Sequence, residues 1–180
     1  MMNKVYKMNI AGLDRELPIC RLNDHVSIGA FVIFGDAELT VASATALLEK
    51  VPEFDVIVSA EAKGIPLAYE MARQSGKKYF VARKYPKLYM VKPVSVEVQS
   101  ITTDKKQVLY MDGPELEYMN GKRILIVDDV ISTGGSLQAV EQLVALSSGT
   151  IVDRCCILAE GDAIDRSDIT YLEPLPLFFD

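Results

Sequence analysis

Short runs of consecutive apolar residues, each set against a stretch of helical periodicity, constrain this sequence more than any other feature. "FDVIVSA" (54–60) precedes a helix opening at Pro66, and "KYFVARK" (78–84) follows it. "RILIVDD" (123–129) and "IVDRCCILAE" (151–160) flank a helical segment over about 136–147. A strand that is apolar at successive positions, rather than at every second one, is covered on both faces. Such strands alternating with helices predict an α/β fold, with a central, mostly parallel sheet between helices. Upstream, Leu39, Ala42, Ala46 and Leu47 recur at helical spacing within 37–50. Residues from about 85 to 120 break this rhythm. There "PVSVEVQSI" and "KQVLYM" alternate between breaks at "TTDKK" and "MDGP", which predicts an antiparallel ribbon with a mobile tip. No repeat or Gly/Ser linker divides the chain, so residues 1–180 are expected to form one domain.

In a parallel sheet, ligands bind beyond the carboxyl ends of the strands. The loops after Ala60, Arg83 and Asp129 would then share one rim, and they carry the richest polar chemistry in the chain. Asp128 and Asp129 close a strand in which side chains alternate in direction, so the two carboxylates address different sides of the rim. A carboxylate accepts two hydrogen bonds from a vicinal diol such as a sugar offers. Just beyond, Ser132, Thr133, Gly134, Gly135 and Ser136 lead into a helix. Hydroxyls, inward-turned backbone N–H groups and the positive helix end together suit a phosphate monoester. Either half alone would also fit an acidic turn or an ordinary capped helix. A diol reader within a few residues of a phosphate cradle matches the span of a ribose 5-phosphate. The segment lacks the GK[ST] of a Walker A loop and is not a GxGxxG dinucleotide fingerprint. Earlier in the chain, Lys63 and Gly64 place a cation beside bare backbone, suitable for a diphosphate or simply a solvated loop.

"ILIVDDVISTGGS" resembles the phosphoribosyl-pyrophosphate (PRPP) signature of type I phosphoribosyltransferases, and the likeness runs over roughly residues 30–160. It is nearest to the adenine phosphoribosyltransferase-like group. The resemblance implies a small N-terminal hood over about 1–36 and a flexible catalytic ribbon over about 85–112. It also implies that Asp128 and Asp129 hold the ribose hydroxyls and that residues 132–136 hold the 5-phosphate. The loop around Lys63 and Gly64 would be the pyrophosphate loop, which in the family often carries a non-proline cis peptide. "ARKYPKLYM" (82–90) matches an R-K-x-x-K-L pattern, which implies pyrophosphate contacts from Arg83 and Lys87 with Lys84 nearby.

Two departures from the family concern the acceptor. Gln99 stands where adenine-specific relatives carry a glutamate near the base, although a shift of two residues would place Glu97 there. Gly35 replaces the arginine of an F-R-D-I-T segment, leaving Phe34 to stack on a purine or to pack in the core, and Asp36 to cap the following helix. Serine at 132, where 6-oxopurine enzymes usually carry aspartate, favours adenine as acceptor. The implied reaction is transfer of phosphoribose from Mg-PRPP to a purine base, with pyrophosphate as product and Mg²⁺ entering mainly through PRPP. The alternatives are a xanthine or other 6-oxopurine enzyme, or a PRPP-sensing regulator without catalysis. A homodimer is likewise implied.

A net charge of −6 and a pI near 4.9 argue against nucleic acid as a partner. The N-terminus "MMNKVYKMNI" lacks a signal-peptide run, and no stretch is apolar for the length of a membrane span. Cys20, Cys155 and Cys156 form no CxxC pair, which predicts buried thiols in a reducing cytoplasm rather than a disulfide frame or zinc site.

Overall fold

The computed structural model describes residues 4–99 and 106–179. In chain order, β1 (Val5–Ile10), β2 (Leu13–Arg21) and β3 (Val26–Gly29) precede α1 (Ala37–Leu48) and β4 (Val56–Ala60). Then come α2 (Ile65–Ser75), β5 (Lys78–Ala82), β6 (Pro93–Gln99), β7 (Lys106–Asp112) and α3 (Gly113–Met119). The chain continues through β8 (Arg123–Ile131), α4 (Gly135–Val144), β9 (Thr150–Glu160), a short 3-10 turn (Gly161–Asp165), β10 (Thr170–Leu175) and β11 (Leu177–Phe179).

The central sheet has the order β10-β9-β8-β4-β5, and every neighbouring pair in it is parallel. Its strands are apolar at successive positions because each face has its own cover. Val56, Val58, Ile124, Ile126 and Cys156 pack on one side with Leu137, Val140, Leu143 and Val144 of α4. Ile57, Leu125, Val127, Cys155 and Ile157 pack on the other with Leu39 and Leu47 of α1 and Leu67 and Met71 of α2. Side-chain alternation along β8 therefore divides the core in two, and it carries Asp128 and Asp129 out at the strand's end in opposite phase. Connections leave β4 and β8 in opposite directions across the sheet, so the crevice between these neighbours is the switch point where such folds bind ligands.

The hood is larger than its expected boundary. Strand β11 pairs antiparallel with β3, Leu177 opposite Ile28, so the four-stranded hood sheet β1-β2-β3-β11 uses both ends of the sequence. The segment "MDGP", expected as a break, instead starts α3. Asp112 and Glu115 form a reciprocal capping box there, with a proline in the first turn. Asp112 also accepts from the backbone N–H of Lys92 at 2.8 Å and of Val91 at 3.1 Å, which pins the 85–92 loop to the foot of the ribbon. The ribbon β6-β7 is antiparallel, as its alternation predicts. Its inner face is part of the core: Val98, Leu109 and Met111 are buried in the same cluster as α4. The expected mobile tip falls on 100–105, outside the described residues. Cys155 and Cys156 are buried as expected, whereas Cys20 is exposed because it lies on the outer face of the hood strand β2.

Candidate active site

Two cavities meet at the carboxyl ends of β4 and β8. The first, of about 560 Å³, is lined by Asp128, Val130 and the continuous stretch Ile131–Leu137, with Lys84, Tyr85, Gln107 and Val108 opposite. The second, of about 580 Å³, lies on the hood side. Asp129, Lys63, Glu61 and Glu160 line it together with Phe31, Val32 and Leu175. Lys84, Gln107, Asp128, Ser132 and Ser136 border both, so they form the waist between the two.

The acidic pair and the glycine-rich turn thus reach the same space, as the sequence predicts. Asp128 reaches both cavities and Asp129 only the hood-side one, which follows from their opposite phase on β8. Burial, and then the neighbouring Asp129 carboxylate, pushes the Asp128 carboxyl well above its ordinary range. Asp129 is only 3% exposed, and its Oδ2 lies 2.9 Å from Lys63 Nζ. That contact is a charge pairing rather than an aligned hydrogen bond, and Oδ2 has no other partner among the described residues. Lys63 Nζ also approaches the Phe31 carbonyl at 3.5 Å, tying the hood to the rim.

Gly64 opens α2 directly beneath Asp128. A Cβ there would run into Ser59 Oγ and lie 2.8 Å from Asp128 Oδ1, so only a bare backbone fits. The Glu61–Ala62 peptide in this loop is cis, as the family resemblance anticipates. Ser132–Ser136 curl into the start of α4, with Gly134 at φ +80°. Behind that residue stands Arg166, whose Nη1 would lie 3.1 Å from a Cβ at position 134, so conformation and space both select glycine there.

The basic loop after β5 is arranged differently from its expected roles. Lys84 lines both cavities. Arg83 instead extends Nη1 to 3.5 Å from Glu61 Oε1, while its backbone exchanges hydrogen bonds with Tyr110. Arg83 and Lys87 line neither cavity. Glu61 is held below the usual carboxylate range, first by the Lys84 backbone N–H and then by the charges of Lys87 and Arg83. This carboxylate, which the sequence reading missed, gathers the basic loop at the rim.

Phe34 is not brought to the site. It is 52% exposed and lies in a separate groove with Val41 and Tyr69, because Asp36 caps α1 and the chain has already turned away from the crevice. Phe31 and Val32, three and two residues earlier, take the hood-side wall. Asp36 does cap the helix, accepting from Leu39 N at 3.0 Å, and Arg15 at 2.6 Å holds its carboxyl below the usual range. The backbone of Gln99 pairs with Lys106 at the ribbon's outer end, and its side chain lies outside the described residues. Among the described side chains of the ribbon, Gln107 lines both cavities. Glu160, at the end of β9, is a second carboxylate without a sequence motif, and burial raises its pKa.

A model of the phosphoribosyl transferase domain matches residues 38–174. The chain belongs to the phosphoribosyl transferase domain family. Among phosphoribosyltransferases similar to it is a hypoxanthine/guanine phosphoribosyltransferase of Methanococcus voltae, 40% identical over 108 residues. That match covers 60% of this chain and 54% of the relative. An adenine phosphoribosyltransferase of Thermotoga petrophila is 34% identical over 122 residues, 68% of this chain and 64% of the relative. The matches thus span little more than half the length of the first of these relatives. Among solved structures, an adenine phosphoribosyltransferase from Thermoanaerobacter pseudethanolicus superposes with a TM-score of 0.68 at 21% identity, covering 94% of this chain and 95% of that one. The Trypanosoma brucei adenine phosphoribosyltransferase, solved with AMP, pyrophosphate and ribose-5-phosphate, superposes at 0.60 with 19% identity over 76% and 64% of the two chains. At these identities the structural likeness establishes a shared type I phosphoribosyltransferase fold.

Proposed function

We propose that this protein transfers phosphoribose from Mg-PRPP to a ring nitrogen of a purine base, releasing pyrophosphate. The observation that carries the reading is the first cavity. A diol-reading carboxylate, Asp128, and a hydroxyl- and amide-rich loop, Ser132–Ser136, face one space at the switch point of a parallel sheet. The 5-phosphate sits against the loop, and its ribose hydroxyls donate to Asp128 and Asp129. The base nitrogen forms its bond to the anomeric carbon as the bond to pyrophosphate breaks, the leaving oxygen keeps the electron pair, and the N–H proton of the base passes to the departing pyrophosphate or to water.

Lys63 and the bare backbone at Gly64 attend the leaving group, with Lys84 at the waist and Arg83 and Lys87 entering from the Glu61-gathered loop. Such preorganised charge is what stabilises a departing polyanion. No group of three acidic, histidine or cysteine side chains positioned to cage a metal occurs among the described residues. Two carboxylates beside a phosphate loop suit a Mg²⁺ carried in by PRPP, because Mg²⁺ keeps several of its ligands from water and substrate phosphates. Held beside Asp128 and Asp129 with PRPP, the ion would supply charge neutralisation to the leaving pyrophosphate. Gln99, at the outer end of β6, is assigned a hydrogen bond to the base once PRPP is bound.

Adenine is the acceptor favoured by Ser132 and by the Thermotoga petrophila relative. Hypoxanthine or guanine is the second reading, favoured by the higher identity to the Methanococcus voltae protein. Pyrophosphate release from Mg-PRPP against a panel of purines and pyrimidines tests both. Release with one purine and none with pyrimidines is expected. PRPP binding without release for any base would instead mark a PRPP-sensing protein.

A further inference from the structure

The inner face of the ribbon is a row of side chains in one phase. Val94, Val96 and Val98 on β6 stand opposite Met111, Leu109 and Gln107 on β7. Five of these six are apolar and pack toward the α4 side of the core. The sixth, Gln107, continues the row to the point where α4 begins, and there the neighbouring surface is the 132–136 loop. Strand alternation thus aims an amide at the phosphate cradle. Gln107 Nε2 lies 3.1 Å from Ser136 Oγ and Oε1 lies 3.4 Å from the same atom. Gln107 also borders both cavities.

We propose that Gln107 is a positioning residue for the 5-phosphate, fixing the direction of the Ser136 hydroxyl proton; this rests on the phosphoribosyl-transfer reading. A serine hydroxyl has one proton to donate and two lone pairs to accept with. When the amide N–H donates to Oγ, the shorter of the two contacts, the hydroxyl proton is free to point at the cradle. A phosphate dianion offers only acceptors, and a charge-assisted O–H···O bond to it outcompetes the longer contact to Oε1. Gln107 therefore supplies the donor that Ser136 needs behind it, and the same bond holds the ribbon over the loop when phosphate is present.

Calorimetric titration of the full chain with ribose 5-phosphate, and separately with Mg-pyrophosphate, tests this on wild type, Gln107→Ala, Gln107→Glu and Ser136→Ala. Gln107→Ala is expected to weaken ribose 5-phosphate about tenfold, the size of one hydrogen bond supporting a charged ligand. Gln107→Glu keeps size and fold but accepts the hydroxyl proton and adds negative charge, so it is expected to weaken binding further. Mg-pyrophosphate affinity should stay within about twofold, and the Ala/Ala double variant should bind no worse than Ser136→Ala alone, as coupled residues do. Unmoved ribose 5-phosphate affinity in both Gln107 variants, with normal wild-type binding, overturns the role of Gln107 alone. Equal losses for both ligands would also overturn it, because they would make the residue a general support of the ribbon. A wild-type chain that binds neither ribose 5-phosphate nor Mg-pyrophosphate overturns the transfer reading along with it.

Discussion

The cavity above α4 takes most of its wall from one short segment of the chain, Asp128 and Val130–Leu137. The hood-side cavity collects Phe31 and Val32 from the segment between β3 and α1, Lys63 from the β4–α2 loop, Glu160 from β9 and Leu175 from β10. In the first, backbone geometry alone brings the chemistry together, since a strand end, a glycine turn and a helix start follow each other along the chain. In the second, nothing coheres until the two sheets have docked. On the proposed reading the first cavity takes the ribose 5-phosphate. The second holds Lys63 beside the leaving group and also takes the base, so the surroundings of the base change with any of these four sources. On that reading the first cavity carries the family's signature and the second selects the base.

The largest expected effect breaks the donor end. Asp128→Asn combined with Asp129→Asn should lower turnover by about a thousandfold or more, each carboxylate being worth ~3–4 kcal/mol at the transition state. Pyrophosphate release at saturating base measures it, and an unchanged rate would remove the donor assignment. Next, Gly64→Ala forces a methyl against Ser59 and Asp128. A loss of about 1–3 kcal/mol in stability is expected, read as a lower Tm, together with weaker PRPP binding; a variant with wild-type Tm would show that the loop yields.

A proton measurement sharpens the comparison. Burial and Asp129 raise the Asp128 pKa, so the free carboxyl keeps its proton above the ordinary range, while ribose hydroxyls need the ionised form to accept them. PRPP binding should then release a proton and strengthen by about tenfold or more from about pH 6 to about pH 8. Calorimetry in buffers of differing ionisation enthalpy reads that proton, and Asp128→Asn should abolish the release. At the acceptor end, Glu160→Gln is expected to change the ratio of kcat/KM between adenine and 6-oxopurines by about tenfold while leaving the KM for PRPP in place. A constant ratio would take Glu160 out of base selection. The smallest effect is assigned to Phe34→Ser, which should leave turnover within about twofold because the ring lies outside both cavities; a large loss would return Phe34 to the base.

What could be read in the sequence follows the same division. The apolar runs around Val58 and Ile126 announced a sheet covered on both sides, and the segment 128–136 announced its ligand chemistry, because each signal lies in adjacent residues. Glu61, Glu160 and the pairing of Leu177 with Ile28 carry no local signature. Their roles depend on which strands become neighbours. Gln107 lies between these cases: it is in phase with Leu109 and Met111, so its face was readable, but its distance from Ser136 was not. Phe34 failed for a local reason, since a helix cap at Asp36 two residues later turns the chain before the ring can reach the crevice. The "DGPE" sequence at 112–115 holds a helix-start pattern as well as a break, and only the fold shows which of the two prevails.

The strand Leu177–Phe179 adds a constraint of timing. Its pairing with Val26–Ile28 closes a loop spanning nearly the whole sequence, the kind of contact that forms late and lowers folding rates. During synthesis the segment 123–144 can settle into its strand, turn and helix while this last strand is still within the ribosome. The hood must wait for it. The glycine-rich turn after β8 would then take shape before the hood-side cavity, which needs Leu175 and the strand paired at Leu177.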